Sequence, residues 1–98
     1  MQATKENILE IIYGALRNIN EERAADDQIA LSEGTLLFGG DSSLDSLSLV
    51  SVIVDVETKV GDELGTHILL TDDKAMSRKV SPFTDVRSLT EYIMELLS

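Results

Sequence analysis

Between Thr4 and about Asn20 the apolar residues Ile8, Ile12, Ala15, Leu16 and Ile19 recur every three or four positions, a period that gathers them on one stripe of an α-helix. Thr4 is placed to cap the first turn, Glu6 and Glu10 lie toward the positive end of the helix dipole, and Gly14 is a tolerated weak point. A second stripe closes the chain: after Thr84 or Asp85 as cap, Val86, Leu89, Ile93 and Leu96 or Leu97 share a face. Two such helices at opposite ends of 98 residues need a common core, and a chain of this size builds one. With two tyrosines, two phenylalanines and no tryptophan, that core is made mainly of Leu, Ile and Val, which suits helix packing better than a sandwich of sheets.

The middle of the chain reads less evenly. From Glu21 to Ser43 periodicity fades, and Asp26-Asp27, Gly34, Gly39-Gly40 and Asp41-Ser42-Ser43 supply loop residues. Structureless loops longer than about 12–15 residues are uncommon in small domains, so Ile29, Leu31, Leu36, Leu37 and Phe38 are expected to pin this one to the core. Helical spacing returns from about Ser46 to Lys59, in Leu47, Val50, Ile53, Val54, Val56 and Val60. Val50-Ser51-Val52-Ile53-Val54-Asp55-Val56 also fits a strand by β-propensity; the capping residue Asp45 favours the helix. Thr71-Asp72-Asp73, then Arg78-Lys79 and Ser81-Pro82, mark both ends of a short helix at about 72–79. The expected fold is all-α: a small antiparallel bundle of three longer helices plus one short helix, with a long ordered loop after the first, spanning residues 1–98 as a single domain.

Charge and cysteine narrow the function. Eighteen acids against eight basic residues give a net charge of −10, which disfavours nucleic acids and anionic membranes and favours basic partner surfaces; acidity also keeps a small protein in solution whatever it does. The absence of cysteine removes disulfides, thiolate metal sites and cysteine nucleophiles, so any thiol chemistry needs an added group. No apolar run approaches the roughly 20 residues that cross a bilayer, and Met1-Gln2-Ala3-Thr4-Lys5-Glu6 lacks the apolar region of a signal peptide, so a cytoplasmic protein is expected. Serine hydrolysis needs an adjacent base, and His67 is the only histidine. Gly40-Asp41-Ser42-Ser43-Leu44 misses the nucleophile-elbow pattern at its last position, and Gly39-Gly40 lacks the lysine of a phosphate-binding loop. Asp41, Ser43 and Asp45 match the start of a calcium loop, but Ser46 stands in place of its glycine and Val52 in place of its final glutamate.

Ser46 falls where the glycine-rich acidic loop turns into the second helix, between Leu44-Asp45 and Leu47-Ser48-Leu49-Val50. On its own, Asp45-Ser46-Leu47 is an ordinary helix cap. The longer run Phe38-Gly39-Gly40-Asp41-Ser42-Ser43-Leu44-Asp45-Ser46-Leu47-Ser48-Leu49-Val50 resembles the acyl carrier protein family. So do the first helix, the long loop, the phenylalanine eight residues before the serine, and the closing Thr84-Asp85-Val86-Arg87-Ser88-Leu89-Thr90-Glu91-Tyr92-Ile93. The resemblance covers nearly the whole chain. It implies that a phosphopantetheinyl transferase moves 4′-phosphopantetheine from coenzyme A onto the Ser46 hydroxyl. The terminal thiol then holds acyl groups as thioesters for acyl-loading and acyl-transfer enzymes. Ser46 is on this view modified rather than catalytic, and by the family's pattern Asp45 and Leu47 help to dock the transferase.

The chain also departs from the fatty-acid carriers it resembles. Their serine helix is studded with carboxylates, whereas here Ser48, Ser51, Asp55, Thr58 and Lys59 are the expected exposed positions. Residues 1–73 carry 15 acids and 4 bases, residues 74–98 carry 3 and 4, so Lys74, Arg78, Lys79 and Arg87 make the third helix and its exit locally basic; the same charges also complement a helix dipole. Candidate partner-docking residues are therefore Asp45, Leu47, Val50 and Asp55 on the serine helix and Lys74 and Arg78 beyond it. The expectation is a monomeric carrier dedicated to a lipid, polyketide or related pathway. The alternative is an acidic helical protein-interaction module with no prosthetic group.

Overall fold

The computed structural model of the chain describes residues 4–38, 44–70 and 82–97. Among them are three α-helices and no strand: α1 Lys5–Asn20, α2 Ser46–Leu64 and α3 Val86–Leu97, with a 3-10 turn at Ala25–Asp27. α1 packs against both α2 and α3. The short helix expected at about 72–79, with Lys74 and Arg78, lies outside the described residues.

α1 forms as its sequence dictates. The Thr4 hydroxyl accepts a hydrogen bond from the Asn7 amide at 3.2 Å, satisfying a first-turn donor that the helix cannot. Ile8, Ile11, Ile12, Ala15 and Leu16 are buried, with Ile19 half-buried beside them. α3 repeats the pattern. The Asp85 carboxylate accepts from the Ser88 amide at 2.8 Å, and Val86, Leu89, Thr90, Tyr92 and Ile93 face inward. The buried Thr90 hydroxyl donates to the Val86 carbonyl at 2.8 Å, so no polar atom of that side chain is stranded in the core.

α2 differs from its expectation in length and in phase. It runs five residues beyond Lys59, through Gly61, and stops at Gly65, whose φ of 69° is left-handed and whose N–H returns to the Gly61 carbonyl at 3.2 Å. A left-handed residue past the last turn is the usual glycine stop. Gly61 costs the helix about 1 kcal/mol relative to alanine, which burial of Val60 and packing of Leu64 against the core offset. Its buried face is Val52, Ile53, Val56 and Val60, while Leu47, Val50 and Val54 face solvent. The apolar repeat read from the sequence takes in six of these seven without separating the two faces, and leaves out the buried Val52.

The loop after α1 is held chiefly by polar contacts. Ile29 and Leu37 are buried as expected, but Leu31, Leu36 and Phe38 are exposed, Phe38 to 61%. In their place the Asn20 side chain clamps the backbone of Ile29, donating to its carbonyl at 3.0 Å and accepting from its amide at 2.7 Å. The Gln28 amide donates to the carbonyls of Asn20 and Arg23. Further along, Leu37 N–H donates to Thr84 C=O, Val86 N–H to Thr35 C=O and Arg87 N–H to Glu33 C=O, each at 3.0 Å, around an isolated antiparallel bridge between Leu36 and Asp85. Lys5 adds an ion pair to Glu33 at 3.0 Å. The loop is thereby fastened to the starts of α1 and α3.

Candidate functional site

The junction of the loop with α2 is set by three neighbouring residues. Leu44 is buried, 8% exposed, and anchors the chain just before the helix. Asp45 takes the extended conformation of an N-cap and its carboxylate accepts from the Ser48 amide at 2.7 Å, while its carbonyl accepts from the Leu49 amide at 3.0 Å. Ser46 is the first residue of α2. Its side chain lies outside the described residues.

Electrostatics at this end follow from the cap. The Ser48 backbone amide, then its side chain, hold the Asp45 carboxyl below the ordinary value of 3.8, and Arg23 adds a smaller pull in the same direction. Asp45 is therefore ionised at neutral pH. A carboxyl lowered by folding stabilises the fold fully above its unfolded value and loses that contribution as pH falls through the folded one. The melting temperatures of the wild type and of Asp45→Ala should accordingly differ at pH 7 and converge as the pH falls below 3.8. A gap that stays constant to low pH, measured by circular dichroism, would exclude the ionised cap.

The remaining first-turn amides of α2 have no partner within the helix. With the dipole they make this terminus favourable for a phosphodiester.

Beside it, Leu47 is 77% exposed and Val50 54%, so both candidate docking side chains stand in solvent on the face that begins at Ser46. Asp55 does not stand with them: it is half-buried, turned toward α1, and accepts a long hydrogen bond of 3.4 Å from the Asn18 amide. Ser48 is likewise half-buried, whereas Ser51, Thr58 and Lys59 are exposed as expected. Lys74 and Arg78 lie outside the described residues.

Sequence reasoning missed Val54 and Leu69, which are 52% and 56% exposed. Counting forward from Leu47 by three and seven finds Val50 and Val54 and was the available signal. His67 is exposed. Among the described residues no group of His, Asp or Glu is arranged to hold a metal, and no helix is long and apolar enough to cross a membrane.

No family model, no curated protein and no solved structure matches the chain.

Proposed function

We propose that the protein is a carrier of acyl groups, held as thioesters on a 4′-phosphopantetheine arm attached to the Ser46 hydroxyl. The observation that carries this is the junction itself. Ser46 opens a 19-residue helix immediately after an anchored and capped turn, at a terminus suited to a phosphodiester, with two large apolar side chains exposed on the adjoining face. The chain-long resemblance to acyl carrier proteins supports the same assignment. A phosphopantetheinyl transferase installs the arm, acyl-loading and acyl-transfer enzymes use it, and the carrier itself is not an enzyme. With this go an antiparallel bundle with a short extra helix near residues 72–79, a monomeric state and a cytoplasmic location.

The pathway is a dedicated one rather than routine fatty-acid synthesis. Of the acids on α2, Asp55 is turned toward α1 and Glu57 is engaged by the Leu70 amide. As far as Thr58 the outward face is thereby left to Leu47, Val50, Ser51, Val54 and Thr58, and the exposed acids Asp62 and Glu63 stand at the far end of the helix.

The absence of cysteine makes a direct test available. Incubated with coenzyme A, magnesium and a broad-specificity phosphopantetheinyl transferase, then freed of small molecules, the protein should pass from no titratable thiol to one per chain. A chain that remains without thiol is the interaction module and not a carrier.

A further inference from the structure

A groove of about 370 Å³ runs between α1 and α2. Its banks are two rows at four-residue steps, Glu10, Gly14 and Asn18 on α1 and Asp55, Lys59 and Glu63 on α2. Each row covers about 12 Å of helix. Asp55 lies about 100° and Lys59 about 140° round α2 from the exposed Val54, so the groove is on a different side of the helix from the face that begins at Leu47. Asn18 and Asp55 are joined by their 3.4 Å hydrogen bond. Glu10 meets Arg17 at 3.8 Å, with both side chains more than half exposed, a pair that water screens. Among the described residues Lys59 and Glu63 make no ion pair. Gly14 leaves its part of the α1 bank empty. A methyl group added there would meet no atom within 4 Å, and the backbone at Gly14 is not left-handed, so neither packing nor conformation calls for glycine. Inside a helix it nevertheless lowers stability relative to alanine.

We infer that this groove is a docking site for a basic segment of a partner protein, with an arginine of that segment lying over Gly14 and its guanidinium within reach of the carboxylates on both banks. Charge selects the occupant. Three carboxylates line the groove against the single ammonium of Lys59, on a chain whose net charge of −10 repels acidic ligands and a second copy alike. Shape commits it to a polypeptide, because a trough open along two helices holds an elongated ligand. Arginine suits the space better than lysine: its planar fork can bond two carboxylates at once, and its alkyl stem can lie along the bare helix surface at Gly14. A partner held here leaves the exposed face beside Ser46 uncovered. The site does not depend on the arm.

Fluorescence anisotropy of a labelled, end-blocked peptide with arginine at every fourth position among alanine and glutamine tests this, in about 150 mM salt, where exposed charges more than about 8 Å apart are screened. The wild type should bind the peptide saturably. Gly14→Leu, which fills the space without changing charge, should raise Kd about tenfold. Glu63→Gln should raise it about threefold, and Asp26→Asn, the same loss of charge at an exposed acid outside the groove, less than about twofold. Lys59→Gln should lower Kd about threefold by removing the one cation that opposes the ligand. Gly14→Ala should melt about 4–8 °C higher than the wild type, as a glycine that the fold does not need.

A wild type that does not bind the peptide, or a Gly14→Leu variant that binds it equally well, overturns the groove as the site. Glu63→Gln binding no more weakly than Asp26→Asn means that net charge alone attracts the peptide, and overturns it as well. A Kd raised by Lys59→Gln gives the groove to an anion. Spermidine that displaces the peptide at equal concentration gives it to a free polyamine and overturns the assignment to a polypeptide. A Gly14→Ala variant that melts no higher than the wild type shows that the glycine serves the fold, and overturns the reading of the empty bank as a partner's space. Coenzyme A enters none of these measurements, so their failure and that of the carrier function are separate results.

Discussion

Asn20→Ala should lower the stability of the fold by about 2–3 kcal/mol, because it leaves both backbone polar groups of a buried residue without their partner. Ile29 is 4% exposed, and its amide and carbonyl are both satisfied by the one Asn20 side chain. Asn20 sits at the last turn of α1, so the clamp also decides where the loop leaves the helix. Asn20→Asp separates the two bonds. Its carboxylate still accepts from the Ile29 amide but cannot donate to the carbonyl, so it should fall between the wild type and the alanine variant. Urea unfolding of the three proteins measures this, and equal midpoints would show that the loop is held by something other than this side chain.

On α2, Val56→Ala should cost about 2–3 kcal/mol and Val54→Ala within about 0.5 kcal/mol of nothing, although the chemical change is the same and the positions are two apart. Val56 is fully buried, and truncating it removes two carbons from the core and leaves a cavity. Val54 is 52% exposed and has little burial to lose. Each kcal/mol corresponds to about 4–8 °C in melting temperature for a chain of this size, so thermal unfolding distinguishes the two variants easily. Comparable losses at both positions would mean that the helix is rotated from the orientation described.

That pair of valines also marks what a sequence can and cannot disclose. α1 and α3 are legible because their apolar residues occupy one stripe, polar residues occupy the rest, and Thr4 and Asp85 announce the starts. On α2 apolar residues spread over most of the circumference, so periodicity identifies a helix without saying which side is inward. Only packing against α1 selects Val52, Ile53, Val56 and Val60. Its end at Gly65 was obscured by Gly61, which tertiary burial carries through the helix. In the loop, apolar content suggested Leu31, Leu36 and Phe38 as anchors, but the anchoring falls to an amide side chain and to main-chain bonds with the start of α3. No local pattern in the sequence encodes such pairings, nor that of Glu57 with Leu70. At the site, the Asp45 cap and the position of Ser46 at the helix start were readable from residue order. The inward turn of Asp55 and the outward turn of Leu69 depend on neighbours distant in sequence.

The carrier function proposed above requires that one hydroxyl of this chain receive the arm. Intact mass spectrometry of the wild type and of Ser46→Ala, each incubated with coenzyme A, magnesium and a broad-specificity phosphopantetheinyl transferase, tests it most directly. One phosphopantetheine should be added to every wild-type chain and none to Ser46→Ala. An unmodified wild type, or an alanine variant that gains the same mass, would contradict it.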